Sequence, residues 1–139
     1  MDLTNKTILI TGATDGIGKV LAKEFSKLGS NIILLGKNSS KLDAVYDQLD
    51  HSFDSQKHLI LEADLSLLND ESAHEILRAI SNEYDALDGI IHNAAILGTM
   101  TPLENYELSK WDEVLNINLR APFLLTKTLK SILENSTMP

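Results

Sequence analysis

The amino-acid sequence predicts a doubly wound α/β fold, a parallel sheet with helices on both faces. Two observations carry that expectation. Short β-branched apolar runs alternate along the chain with segments whose apolar residues recur at helical spacing, and the first run passes directly into a glycine-rich turn that opens a helix. Strands joined by helices in this way pair in parallel through right-handed crossovers, so ligands bind beyond the carboxyl ends of the strands.

Taken in order, Thr7-Ile8-Leu9-Ile10-Thr11 reads as a strand covered on both faces, and glycine ends it. From Ile17 the period changes: Ile17, Val20, Leu21, Phe25 and Leu28 form a helical stripe, lysines and Glu24 fill the other face, and Gly29 supplies the stop. The unit recurs, with Asn31 to Leu35 as a second strand, Ser39 or Ser40 as the helix N-cap, and Leu42, Val45 and Leu49 as the stripe. The polar stretch Asp50 to Lys57 is expected to be a surface loop, and His58 to Glu62 a third strand. A helix opened near Asn69 follows, marked by Ala73, Ile76, Leu77, Ile80 and Tyr84, and Gly89 to Asn93 is a fourth buried strand. Ser109-Lys110-Trp111-Asp112 resembles a capping box, predicting a long helix from there towards Leu133.

Composition narrows the function. Lys and Arg total 12 against 20 Asp and Glu, a formal net charge of −8, which offers no electrostatic footprint for nucleic acid or an anionic membrane. Small molecules and other protein chains are the expected partners. The chain has no cysteine, which removes disulfides, thiolate metal sites and cysteine nucleophiles, and no apolar run approaches the roughly 20 residues of a membrane helix. A cytoplasmic location is expected. His51, His58, His74 and His92 show no metal-ligand spacing, and no Gly-x-Ser-x-Gly nucleophile turn occurs.

Thr11-Gly12-Ala13-Thr14-Asp15-Gly16-Ile17-Gly18 joins the first strand to the first helix. Its glycines permit a tight turn and close approach of backbone to a phosphate, while the helix N-terminus presents free N–H groups and a positive dipole end. The overlapping P-loop reading fails, because Ala13 stands where its first glycine belongs and Val20 where a magnesium-binding hydroxyl belongs.

With this spacing the chain resembles the short-chain dehydrogenase/reductase family, and further matches follow in order. Ala63-Asp64-Leu65 is similar to the family's Asp-Leu pair, His92-Asn93-Ala94-Ala95 to its Asn-Asn-Ala-Gly segment, and Asn118 to the helix asparagine of its catalytic tetrad. The resemblance implies a Rossmann-like domain that binds a nicotinamide dinucleotide through Thr11, Gly12, Thr14, Asp15, Gly16, Ile17, Gly18, Lys37, Asp64, Leu65, Asn93, Ala94 and Ala95. Asp64 and Leu65 would hold the adenine. Pro122 cannot donate the helical hydrogen bond to the Asn118 carbonyl, which suits the proton-relay water that relatives hold at this backbone and also suits a kink.

The second strand ends Leu35-Gly36-Lys37-Asn38, with no acid at its tip to bind a ribose 2′-hydroxyl. Lys37 stands where many NADP-using relatives carry arginine, so NADP(H) is favoured over NAD(H), with the charge of Asp15 counting the other way. The same Gly36-Lys37 speaks against methyl transfer from S-adenosylmethionine, which needs that acid.

In the family a catalytic serine on a fifth strand and a Tyr-x-x-x-Lys on the next helix complete the chemistry. Neither is found after Asn118 here. Tyr46 and Tyr84 have aspartates four residues on, and Tyr106-Lys110 fits the spacing but precedes Asn118 and overlaps the start of the long helix. Residues 1–139 are therefore expected to be the N-terminal portion of the dinucleotide-binding domain, incomplete after the fourth strand and long helix, inert alone and part of a longer gene product. An NAD(P)-dependent oxidoreductase acting on a carbonyl or alcohol, homodimeric or homotetrameric when full length, is the leading expectation. A non-catalytic dinucleotide-binding module is the alternative.

Overall fold

A computed structural model describes residues 3–137. Four strands, β1 (Thr7–Thr11), β2 (Asn31–Gly36), β3 (Leu59–Glu62) and β4 (Gly89–Ile91), form one parallel sheet in the order β3-β2-β1-β4. Helices α1 (Gly16–Lys27), α2 (Ser39–Tyr46), α3 (Asp70–Ser81), α4 (Leu108–Leu115) and α5 (Ala121–Leu133) lie between or after them. This is the doubly wound architecture that the alternation of apolar runs predicts.

Because successive strand residues point to opposite faces, each strand divides its side chains between two cores. Leu9, Ile33 and Leu35 pack with Ala73, Ile76 and Ile80 of α3 and with Leu125, Leu129 and Ile132 of α5. Ile8, Ile10, Ile32 and Leu34 pack with Ala22, Leu42 and Val45 on the face covered by α1 and α2. All of β1 is buried, which explains its continuous apolar run. Each Leu or Ile so withdrawn from water contributes roughly 2 kcal/mol.

Helix starts differ from the sequence expectations at three places. α1 begins at Gly16 rather than Ile17, with Asp15 as N-cap, its carboxylate accepting from Gly16 N–H at 2.7 Å. Asn38, not Ser39 or Ser40, caps α2, because it is the last extended residue and its side-chain oxygen reaches Lys41 N–H at 2.9 Å. The Ser109 capping box does not form: α4 starts at Leu108 after Glu107, so Ser109 already lies within the first turn. Asn69 does cap α3, in a reciprocal box with Ser72.

The long helix is also not continuous. A π turn, Asn116–Arg120, separates α4 from α5, and Ala121 N–H bonds back to the Asn116 carbonyl. Pro122 follows at once; its ring would clash with the Asn118 carbonyl of a regular helix, and a wider turn relieves that crowding.

At the opposite edge, the polar loop after α2 is pinned by His58, which is 6% exposed. Its Nδ1 accepts from Ile32 N–H at 3.0 Å and its Nε2 donates to the Asp50 carbonyl at 2.8 Å, so the ring is neutral with the proton on Nε2. Burial holds its pKa below the ordinary histidine value, against the raising effect of the Asp50 carbonyl.

Candidate functional site

At the carboxyl ends of the strands lies a cleft of about 480 Å³. Its near wall is the β1–α1 turn, where Gly12, Thr14, Asp15, Gly16 and Ile17 line the space. Gly12 has φ +63°, and a Cβ there would stand 2.8 Å from the Ala94 Cα. Only glycine lets this turn lie against the segment after β4. Nothing stands within 4 Å of where a Gly16 Cβ would be, so that space at the mouth of α1 is open to a ligand. The amide dipoles of α1 point into it.

Thr11 and Gly18 do not line the cleft; they hold the residues that do. The Thr11 hydroxyl accepts from Asn93 N–H and Ala94 N–H, each at 3.1 Å. The Asn93 amide donates to the carbonyls of Thr11 and Gly12 at 3.2 and 3.0 Å. Asn93 is thus seated over α1, where a Cβ on Gly18 would come within 2.5 Å of its amide nitrogen. These bonds tie the end of β4 to the glycine turn and bring Asn93, Ala94 and Ala95 to the wall.

The opposite end of the cleft is built from the tips of β2 and β3, where Lys37, Asp64 and Leu65 line it together with Gly36 and Ala63. Asp64 opens a short 3-10 turn, Leu65–Leu67, and its carboxylate accepts from Ser66 Oγ at 2.6 Å and Ser66 N–H at 2.9 Å. The Ser66 hydroxyl bond, then its N–H and the nearby Lys37 cation, keep the Asp64 carboxyl below the usual range although partial burial opposes them.

Asn118, expected as a catalytic residue, stands on the π turn and does not line the cleft. Its side-chain oxygen accepts from Ile96 N–H and its amide donates to the Ile96 carbonyl, both at 2.9 Å. It therefore fixes the backbone just after Ala95. Ile96 and Ile117 complete the cleft wall and were not singled out from sequence, where apolar residues beside a motif carry no signal of their own. Adjacency to Ala95 and Asn118 was the one available hint. His92 points away from the cleft, with Nε2 2.9 Å from the Thr126 hydroxyl. Tyr106 also lies elsewhere, edge-on to Trp111 in a separate apolar groove, and among the described residues no tyrosine lines the cleft.

Comparison with known proteins gives this arrangement a context. Residues 6–137 match the family model described as short chain dehydrogenase. The Escherichia coli K12 "Uncharacterized oxidoreductase YciK" is 34% identical over 134 residues, 96% of this chain and 53% of that protein. The 3-oxoacyl-[acyl-carrier-protein] reductase FabG of Aquifex aeolicus is 31% identical over 125 residues, 90% of this chain and 49% of that protein. A solved Escherichia coli CFT073 protein in complex with NADPH superposes with a TM-score of 0.89 at 34% identity, over 98% of this chain and 57% of the other. The chain spans about half the length of the curated relatives it matches. With a match that runs from β1 through α5, the chain belongs to the short chain dehydrogenase family.

Proposed function

We propose that this chain is the cofactor-binding portion of an NAD(P)-dependent oxidoreductase that moves hydride between nicotinamide and a carbonyl or alcohol carbon, with NADP(H) favoured over NAD(H). The observation that carries the reading is the single cleft into which the glycine turn, Lys37, Asp64–Leu65 and Asn93–Ile96 converge. The residues fit a dinucleotide: the open space beside Gly16 and the α1 amides suit a pyrophosphate, and Asp64 with Leu65 N–H suits an adenine. Asn93 to Ile96 with Ile117 would enclose the nicotinamide end, and Asn118 would keep that wall in register through Ile96. When bound, the nicotinamide supplies the hydride donor or acceptor.

Lys37 supports NADP(H), since it lines the cleft where Gly36 leaves no carboxylate to claim a 2′-hydroxyl. The NADPH complex of the Escherichia coli CFT073 relative is compatible with this choice. Asp15 counts the other way: it lines the same cleft, and its carboxylate accepts from Gly16 N–H in capping α1. Fluorescence titration should find NADPH bound more tightly than NADH, by roughly tenfold for one well-placed charge contact. Lys37→Ala should abolish the difference, and equal affinities in the unmodified chain would overturn the assignment. The isolated chain should reduce no member of a carbonyl panel, since no tyrosine faces the cleft among the described residues. Exposed Trp111 and Leu115 on α4, Leu119 on the π turn and Phe123 on α5 support self-association as a homodimer or homotetramer.

A further inference from the structure

The 3-10 turn at Leu65–Leu67 is a short part of the cleft, held locally by the bonds from Ser66 to the Asp64 carboxylate. It is a single turn, closed by Leu67 N–H to the Asp64 carbonyl at 3.1 Å and by Leu68 N–H to the Leu65 carbonyl at a long 3.5 Å. Leu65 and Leu68 anchor it in the core beside Ile117, but burial alone does not set the angle at which Asp64 and Leu65 face the cleft. Arg120 makes a directed bond to it: Nη1 donates to the Leu68 carbonyl at 3.2 Å, across 52 positions of sequence. The donor sits on the π turn. That turn packs against the 65–67 segment while also carrying Ile117 on the cleft wall and Asn118 on the Ile96 backbone.

We propose that Arg120 is a positioning residue for the adenosine end of the cleft, holding the Asp64–Leu68 turn through the Leu68 carbonyl. The inference rests on the dinucleotide reading above. One five-residue π turn then sets both ends of the site, Asn118 gripping the segment after β4 and Arg120 the segment after β3. A guanidinium suits this place, because Leu68 is extended after the turn and its carbonyl takes a charge-assisted hydrogen bond from Arg120.

The test is Arg120→Ala in the full chain, with Arg120→Lys as rescue. In calorimetric titration, adenosine 2′,5′-bisphosphate should bind roughly five- to tenfold more weakly to Arg120→Ala, in keeping with the loss of one part-buried charged hydrogen bond, and NADPH should weaken by the same factor. Arg120→Lys, which keeps a donor, should recover most of the loss. Amide exchange should rise at residues 65–68 and stay unchanged in β1 and β2. Unaltered exchange at 65–68, or unaltered affinity for the bisphosphate, overturns the proposal. If the unmodified chain binds neither ligand while exchange at 65–68 still rises in the variant, the dinucleotide reading falls and the tie to the turn stands. Should Arg120→Ala fail to fold, Arg120→Met keeps the packing stem and is read in the same way.

Discussion

The two walls of the cleft are made by different means. The near wall is held by steric fits at Gly12 and Gly18, where a further carbon would collide with Ala94 and with the Asn93 amide, while the space beside Gly16 stays open. The far wall, from Ile96 across the π turn to Leu68, hangs on three side-chain hydrogen bonds from two residues, Asn118 and Arg120. A fit of the first kind fails abruptly when an atom is added. A wall of the second kind shifts by degrees as its ties are removed.

Gly12→Ala should therefore have the largest effect, because the methyl meets Ala94 backbone at 2.8 Å and the residue is held at φ +63°. A loss of roughly 3 kcal/mol in denaturant unfolding, with loss of NADPH binding, is expected. A variant that folds and binds normally would show that the near wall is not a steric fit. Asn118→Asp comes next: the carboxylate can still accept from Ile96 N–H but faces the Ile96 carbonyl without a donor. About 1–2 kcal/mol of stability should go, and NADPH should weaken while adenosine 2′,5′-bisphosphate holds its affinity. Equal weakening of both ligands would mean that the two ends of the far wall move together.

The smallest effect is expected from acid, acting far from both walls. Neutral His58 accepts from Ile32 N–H, and a proton on Nδ1 would set N–H against N–H. The groups around it are Tyr46, His51 and Asp50, with Lys27 acting on Asp50. Since folding lowers the His58 pKa, the unfolded chain binds more protons below pH 6.5, and stability should fall as pH drops through and below that value. His58→Gln, which keeps an acceptor and a donor but does not titrate, should flatten that slope. Unchanged pH dependence in the variant would assign the slope to other groups.

The near wall was largely legible in the sequence, since a glycine turn between an apolar strand and a helix leaves few alternatives. Asn69 could be read as a cap because it directly precedes an amphipathic stripe. Asn38 and Glu107 were missed, as neighbouring serines compete for the same role and the choice depends on which residue is last to be extended. Pro122 signalled a disturbed helix, yet a kink and a π turn share that signal. Nothing in the pattern distinguished Arg120 from any other surface cation.

What the sequence by itself determined was the alternation of strand and helix, the glycine turn and hence a cleft above the sheet, because these follow from periodicity and from the steric demands of single residues. The tertiary structure decided that Thr11, Gly18 and Asn118 support the wall instead of forming it, and that one π turn reaches both ends of the site. Those roles depend on contacts between residues 22 to 83 positions apart in the chain, and local pattern carries no record of such distances.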